Sequence, residues 1–332
     1  MQVNVAVRLL PVERVVRRLM SAAPPPVHPS IAGLATAWRR FVRGPAVFAY
    51  LLLAPAVTVL VVVVLYPLLT AIDMSFRQVD IYSPSTPRGP WTLSNYLRLL
   101  TTPGFWQAVR VSIIYVACSV IPALLIGLGT ALLLNRQFRG RTLARMLAVM
   151  PWAIPPVVAV NIWWWILDPS YGLLNWILLQ LGVVSQPVNW TTQPGPAMAA
   201  VSLVTIWKGY PFFLVMLLAG LQAIPQDLYD AAAVDGAGAL AALRHITLPA
   251  LRGVLSLAAL LSTLWVFREF TIIWVLTSGG PIRATETLAI MTYREAFVSF
   301  RMGVAAAVGV VTLLICAAAG VVFIRQAERE FA

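Results

Sequence analysis

Three charged residues lie inside long apolar stretches of the sequence and are candidates for contact with a polar ligand. Lys208 lies in one such stretch, and Arg268 and Glu269 are adjacent in the next. A charged side chain inside a membrane span is costly and requires a partner, a water-filled path or a ligand. Pairing of Lys208 with Glu269 is the simplest structural explanation, and we favour it. A secondary transporter that uses Glu269 for proton coupling is an alternative from a different class.

Aromatic residues occur near these charges in the sequence and suit a sugar ligand. Sugars are bound by aromatic faces against their C–H surfaces, together with a few convergent hydrogen-bonding groups. Tryptophans near span ends more often form the interfacial belt, and consecutive Trp163 to Trp165 point about 100° apart on a helix. The candidates for a substrate path are Asn161, Trp164, Trp207, Lys208, Tyr210, Trp265, Arg268 and Glu269.

The residue types exclude several enzyme classes. A phosphate-binding loop needs G-x-x-x-x-G-K-[ST], and Lys208 is the only lysine, in Ile206-Trp207-Lys208-Gly209. The chain is therefore not an ATPase. Two isolated histidines, His28 and His245, do not make a triad or a metal site, and Cys118 and Cys316 lie in apolar runs. We expect no cofactor, no metal and no catalytic residue in this chain.

The composition is that of an integral membrane protein. The 332 residues are 60% hydrophobic and 11% charged, whereas a soluble domain is about half apolar and a quarter charged. The net charge of +12 is therefore better explained by membrane topology than by nucleic-acid binding. Each apolar run is long enough for a span of about 20 residues, so the prediction is an all-α polytopic fold. The six runs lie near 46–70, 109–134, 146–167, 197–221, 253–276 and 303–324.

Residues 1–45 are predicted to precede the membrane domain on the cytoplasmic side. Arginines alternate with apolar residues up to Met20, which is typical of a basic amphipathic helix on an anionic membrane surface, and a Pro-rich linker follows. The permease domain is assigned to residues 46–325 and a cytoplasmic tail to 326–332. With both termini inside, the inner segments hold about twice as many arginines as the outer ones, as the positive-inside rule requires.

A semi-polar segment, loop 222–253, interrupts the apolar runs. Pro225 and the acids after it predict a short helix to Val234, followed by a turn at Asp235-Gly236, where the aspartate caps the next helix. The second helix is predicted over 237–247 and ends at Leu248-Pro249. Its Leu240, Leu243 and Ile246 share one face. By spacing alone, an amphipathic segment on the membrane surface is an equal alternative.

Three groups of residues in this loop resemble the E-A-A loop of bacterial ABC-importer permeases. They are Tyr229-Asp230-Ala231-Ala232, Asp235-Gly236-Ala237 and Ile246-Thr247-Leu248-Pro249. Asp230 replaces the usual glutamate, and Leu243 stands where many members have phenylalanine. The resemblance implies that the loop docks on a separate ATPase subunit, which binds ATP and Mg. The residues it assigns to coupling are Tyr229, Asp230, Ala231, Ala232, Asp235, Gly236, Ala237, Leu240, Leu243, Ile246 and Pro249.

Further motifs are similar to the carbohydrate-uptake branch of this family. They include Asp168-Pro169-Ser170-Tyr171-Gly172, Trp207-Lys208-Gly209-Tyr210-Pro211 and Thr277-Ser278-Gly279-Gly280-Pro281. The resemblance implies a type I ABC importer permease in a bacterial inner membrane. Its partners would be a second, homologous permease subunit, two ATPases and an extracytoplasmic solute-binding protein. The outer loop expected to face the binding protein contains Gly279, Gly280, Pro281 and Thr285.

The sequence does not decide the chemical class of the transported solute. A sugar is the first expectation, and sn-glycerol-3-phosphate or another small organic solute is the closest competitor. A phosphate ester would prefer a cationic path, for which Lys208 and Arg268 are available. A purely structural membrane scaffold is the third possibility.

Overall fold

The computed structural model describes residues 45–79 and 89–331, and this part of the chain is built from helices. The predicted amphipathic segment of residues 1–44 lies outside the described residues. Outside the helices, an isolated antiparallel bridge pairs Arg77 with Trp91. The α-helices are Pro45–Leu60, Tyr66–Ser75, Ser94–Thr101, Pro103–Asn135, Arg141–Ala153, Pro156–Ile166, Leu173–Gln180, Pro194–Gln222, Gln226–Val234, Ala239–Ala242, Leu248–Phe267, Thr271–Thr277, Leu288–Tyr293 and Met302–Phe331, with π-helical turns at Val61–Leu65, Leu243–Thr247 and Arg294–Val298.

Six segments of the described chain are suited to cross a membrane, which confirms the predicted all-α polytopic fold. Five are single helices, and the sixth is a pair of half-helices that meet at 101°. The predicted domain limits themselves stay a prediction. In chain order the segments are span 1 (Ala49–Ser75), span 2 (Pro103–Asn135), span 3 (Arg141–Ala153 with Pro156–Ile166), span 4 (Pro194–Gln222), span 5 (Ala239–Phe267) and span 6 (Met302–Arg325).

The chain divides into two compact units, residues 1–67 and 68–332. In the first unit, the described residues from 49 to 67 are helical and exposed apolar side chains predominate, as suits contact with lipid. The second unit contains spans 2 to 6 and the candidate site.

Spans 2 and 4 form the centre of the second unit. A Cβ on Gly127 would collide with the Phe213 side chain, so glycine is required where the two helices approach most closely. Buried Leu214 and Leu217 of span 4 and Leu251 of span 5 belong to the same apolar cluster. One polar contact crosses this interface, a 2.6 Å hydrogen bond between the hydroxyls of Tyr115 and Thr205.

Span 3 is broken where the sequence predicted a continuous run over 146–167. The first half-helix ends at Ala153, and Ile154 is extended at ψ 130°. The residue before a proline avoids the helical conformation, and prolines lack the N–H that would continue the helical ladder. The consecutive Pro155 and Pro156 thus explain the break of span 3.

Span 5 differs from the predicted run 253–276 at both ends. It ends at Phe267, and a separate short helix, Thr271–Thr277, follows after the break at Arg268. At its start it continues directly from loop 222–253, so the prediction that Leu248-Pro249 ends the element is wrong. The turn before Pro249 is π-helical, with the Leu248 N–H donating to the Leu243 carbonyl, and the helix passes through the proline.

Candidate functional site

The two short helices of loop 222–253 meet at a glycine, as the sequence predicts. The first helix, Gln226–Val234, is followed by Gly236 at φ +79°. This left-handed conformation is readily accessible to glycine and strained for other residues. The Ala237 N–H donates to the Ala232 carbonyl over 2.8 Å, which closes the turn behind the first helix.

Asp235 does not cap the second helix, contrary to the sequence prediction. It is the C-terminal cap of the first helix, and its backbone N–H donates to the Ala231 carbonyl. Gly238 occupies the N-cap position of the second helix, without a side-chain cap. The turn is two residues longer than the predicted one, and this extra length moves Asp235 out of capping position.

A side-chain hydrogen bond joins the two arms of the loop. The Tyr229 hydroxyl lies 3.0 Å from the hydroxyl of Thr247, which is buried in the π-helical turn. Asp230 is exposed and accepts a hydrogen bond from Gln226. The two arms are therefore fixed to each other, and the loop presents one surface.

Apolar side chains project from this surface into solvent. Val234 is 88% exposed and Leu240 is 78% exposed, one on each side of the Gly236 bend. Leu243 and Ile246 are half-buried. Sequence periodicity identified Leu240 but missed Val234, because Val234 lies at the end of the other helix. The other predicted coupling residues on this surface are exposed Ala231 and Pro249 and half-buried Ala232 and Ala237.

Lys208 lies at the break of span 3. Its ammonium donates to the carbonyl oxygen of Ile154 over 2.6 Å and to that of Trp152 over 3.4 Å. Glu269 lies at the break after span 5, where its carboxylate accepts from the Ile272 N–H over 3.0 Å. Within the described part of the chain, Lys208 bonds to these carbonyls and forms no direct salt bridge with Glu269, although the two charges attract each other across the pocket.

A pocket of about 210 Å³ is lined by residues from both breaks. One part of its lining is aromatic. Phe212 and Trp265 pack edge to face with their ring centroids 4.8 Å apart, and the ring centroid of Trp152 lies 6.4 Å from that of Phe212. Lys208 and Glu269 contribute the charges. The small and hydroxyl-bearing residues of the lining are Ser119, Ala123, Thr205, Gly209 and Ser262, and Val266 and Ile272 complete it.

The buried Ser119 hydroxyl of this lining has no hydrogen-bond partner within the described chain. A buried hydroxyl without a partner is costly. Ser119 was missed in the sequence because a lone serine in an apolar run is unremarkable. Trp152 and Phe212 were missed for the same reason, since only the break of span 3 brings Trp152 to the pocket.

Of the predicted path residues, Lys208, Trp265 and Glu269 line this pocket and five others do not. The Asn161 amide donates to the Val157 carbonyl of its own helix, and Arg268 bonds to the Leu264 carbonyl. The remaining three are Trp164, which is exposed, Trp207, which packs against Trp163, and Tyr210, which packs against the core of spans 2 and 4.

The predicted outer loop is rigidly built around a buried carboxylate. Glu286 is 1% exposed and pairs with the Arg283 guanidinium and, at 3.5 Å, with that of Arg294. The hydrogen bond to Glu286 raises the pKa of Arg283. Thr285 is buried, with its hydroxyl 2.7 Å from that of Thr277 and donating to the Gly280 carbonyl. These contacts hold Gly279, which has a positive φ, and the cis Gly280-Pro281 bond in one conformation.

Comparison with known proteins assigns the chain to a family. Residues 123–329 match the family described as the binding-protein-dependent transport system inner membrane component. The trehalose/maltose transport system permease protein of Thermococcus litoralis is 36% identical over 84% of this chain and 93% of the relative. The sulfoquinovosyl glycerol transport system permease protein of Agrobacterium fabrum is 34% identical over 87% of this chain and 93% of the relative.

The fold agrees with a solved importer. A bacterial ABC transporter involved in the import of the acidic polysaccharide alginate contains a chain that superposes with a TM-score of 0.72 at 23% identity, over 87% of this chain and 99% of that chain. At this identity the likeness shows the fold alone. Together with the family match and the spans, it shows that this chain is a multi-pass ABC-importer permease and belongs to the inner membrane components of binding-protein-dependent transport systems.

Proposed function

We propose that this chain forms part of the path for a sugar in an ATP-driven importer. The observation that supports this most directly is the pocket lined by Trp152, Phe212 and Trp265 together with hydroxyls. Aromatic faces bind the C–H surfaces of sugars, and polar residues such as Ser262 line the same pocket. The related permeases named for trehalose and maltose and for sulfoquinovosyl glycerol agree with a sugar-containing solute.

The charges of the pocket favour a neutral sugar over a phosphate ester. A phosphate needs cationic groups with free donors. Lys208 already donates to two carbonyls and faces Glu269 in the same pocket, and Arg268 is outside the lining. Import of sn-glycerol-3-phosphate is therefore the weaker candidate.

Energy for transport is supplied by a separate ATPase that docks on loop 222–253. The exposed Val234 and Leu240 on either side of the Gly236 bend give this surface an apolar contact that a groove on the ATPase would cover. ATP and Mg bind to that partner. Because the second arm of the loop is continuous with span 5, movement of the docked loop moves span 5 directly.

The assembly contains two ATPases and a second, homologous permease, with both termini of this chain in the cytoplasm. This orientation puts loop 222–253 on the inner side and the loop around Gly279 on the outer side, where it faces the solute-binding protein. The rigid framework of Glu286 and Thr285 suits a surface that must hold its shape for a docking partner.

Affinity purification of the tagged chain from its native membrane in mild detergent tests this assembly. We expect a second permease and an ATPase with a Walker motif to be recovered with it, identified by mass spectrometry, and ATP hydrolysis in the eluate. The solute-binding protein is then screened against sugars and glycerophosphates. A chain that purifies alone and moves solute down a proton gradient would overturn the proposal.

A further inference from the structure

At each break beside the pocket, a helix end bonds to a side chain whose charge is opposite to the partial charge of that helix end. The first half of span 3 ends at Ala153, and a helix C-terminus has unpaired carbonyls and a partial negative charge. Lys208, on span 4, supplies a cation that bonds to the Trp152 and Ile154 carbonyls there. Lys208 therefore acts on span 3 from a neighbouring helix, and Trp152 is one of the residues it holds.

Glu269 bonds to a helix end at the second break, after span 5. The helix Thr271–Thr277 begins just after it, and its first N–H groups carry a partial positive charge. The Glu269 carboxylate accepts from the Ile272 N–H over 3.0 Å. Trp265, four residues earlier on span 5, lines the same pocket.

We propose that Lys208 and Glu269 are positioning residues, each of which holds one broken span in place beside the pocket. Lys208 fixes the Trp152 side of the lining, and Glu269 fixes the junction between span 5 and the short helix after it. Neither residue acts by pairing with the other. The proposal rests on the proposed function in that the pocket is taken as part of the transport path.

Two explanations of these charges predict opposite results for a double substitution. In one, each charge caps its own helix end; in the other, the two charges form one ion pair. If the charges served only to neutralise each other, removing both would be no worse than removing one. If each holds its own break, the double variant should lose more than either single variant, because the two hydrogen-bonded contacts share no partner. Conservative variants add a second contrast. Lys208→Arg keeps a charged donor, and Glu269→Gln keeps an acceptor while losing the charge.

The experiment measures ATP hydrolysis by the reconstituted whole complex, stimulated by its loaded binding protein. We expect Lys208→Met and Glu269→Leu each to lower the maximal rate by about tenfold, the magnitude of one lost hydrogen bond to a charged group. The double variant should lose more than either single variant. The half-saturating concentration of binding protein should stay unchanged, since neither residue lies on the outer loop. Lys208→Arg and Glu269→Gln should stay within about threefold of wild type.

Three outcomes would overturn the inference: a Lys208→Met complex as active as wild type, a double variant no worse than the single ones, or a Glu269→Gln complex as inactive as Glu269→Leu. Failure of the proposed function looks different. In that case the wild-type complex would not be stimulated by any sugar-loaded binding protein. The comparison of variants would then be made with whichever solute does stimulate it, and the same three outcomes would decide the inference.

Discussion

At the scale of single residues, Gly236 shows how a backbone conformation can be required without any close contact. An added Cβ at this position would meet no atom within 4 Å, so a side chain is not excluded by space. The φ of +79° is what disfavours other residues, at about 1–2 kcal/mol for an L-residue in the left-handed region. The bend of loop 222–253 therefore depends on one glycine.

Replacement of Gly236 by valine should disrupt coupling while the protein remains in the membrane. A β-branched residue is strongly disfavoured at positive φ, so the bend between the two arms changes. We expect uptake to fall by roughly tenfold or more at normal expression. Gly238→Ala is the matched control, because Gly238 has φ −73° and equally open space. Normal uptake by the valine variant would show that the bend is not needed.

Asp235→Ala should have little effect, despite the position of this residue in the E-A-A motif. Its side chain does not cap the second helix, whose N-cap is Gly238. We expect uptake within about twofold of wild type, since an exposed side chain without a structural bond contributes little. A loss of tenfold or more, measured in the same uptake assay, would mean that Asp235 contacts the ATPase itself.

Sequence reasoning worked for residues whose role follows from local backbone chemistry. Gly236 was identified because a glycine after a helix has a specific conformational use. The partners of Lys208 were not identifiable, because they are main-chain carbonyls freed by a break more than fifty positions away in sequence. Glu269 lines the pocket together with Lys208, without the direct salt bridge that the sequence analysis favoured.

At the scale of elements, the second arm of loop 222–253 is part of span 5. The π-helical turn Leu243–Thr247 joins the arm to the span with no loop between them. A rigid helix transmits a displacement along its length, whereas the separate element predicted from Leu248-Pro249 would absorb it. Leu240 of the proposed docking surface and Trp265 of the pocket wall therefore lie on one helical segment.

Leu240→Asp should release the ATPase without unfolding the chain. Leu240 is 78% exposed, so a carboxylate is tolerated in the free permease and costly only in an apolar contact with the partner. We expect the amount of ATPase recovered with the tagged chain to fall by at least tenfold, as measured by quantitative mass spectrometry. Leu243→Asp should act in the same direction, although Leu243 is half-buried.

Leu181→Asp is the matched control for that experiment. Leu181 is 71% exposed and lies between spans 3 and 4, on the side of the membrane opposite to loop 222–253 in the proposed topology. Recovery of the ATPase should be normal. If the Leu240 variant also retains its ATPase, the docking surface is misassigned.

Removal of Glu286 should destabilise the outer loop. Its buried carboxylate is shared by two arginines, and deleting one member of a buried ion pair is strongly unfavourable. Because both arginines are partly exposed, we expect Glu286→Ala to lower the free energy of unfolding by about 2 kcal/mol. This loss is measured as a lower Tm of the purified protein. Asp73→Ala, which breaks the partly exposed pair with Arg77, should change the Tm much less. Equal shifts would contradict the structural role of Glu286.

At the scale of the whole molecule, hydropathy predicted the fold class and the six spans but not the two breaks. The length of an apolar run identifies a membrane span but does not show a bend within that span. Pro155 and Pro156 offered a signal for the first break, although proline also occurs inside continuous spans, as Pro122 and Pro211 do here. The second break, at Arg268, has neither glycine nor proline to mark it in the sequence.

Uptake of a labelled sugar into proteoliposomes is the most direct test of the account. The complete complex is reconstituted with its binding protein outside and ATP inside. We predict uptake that requires both ATP and the sugar-loaded binding protein and that is lost with Leu240→Asp. Uptake driven by a proton gradient without ATP, or uptake of glycerophosphates but of no sugar, would contradict the proposed function.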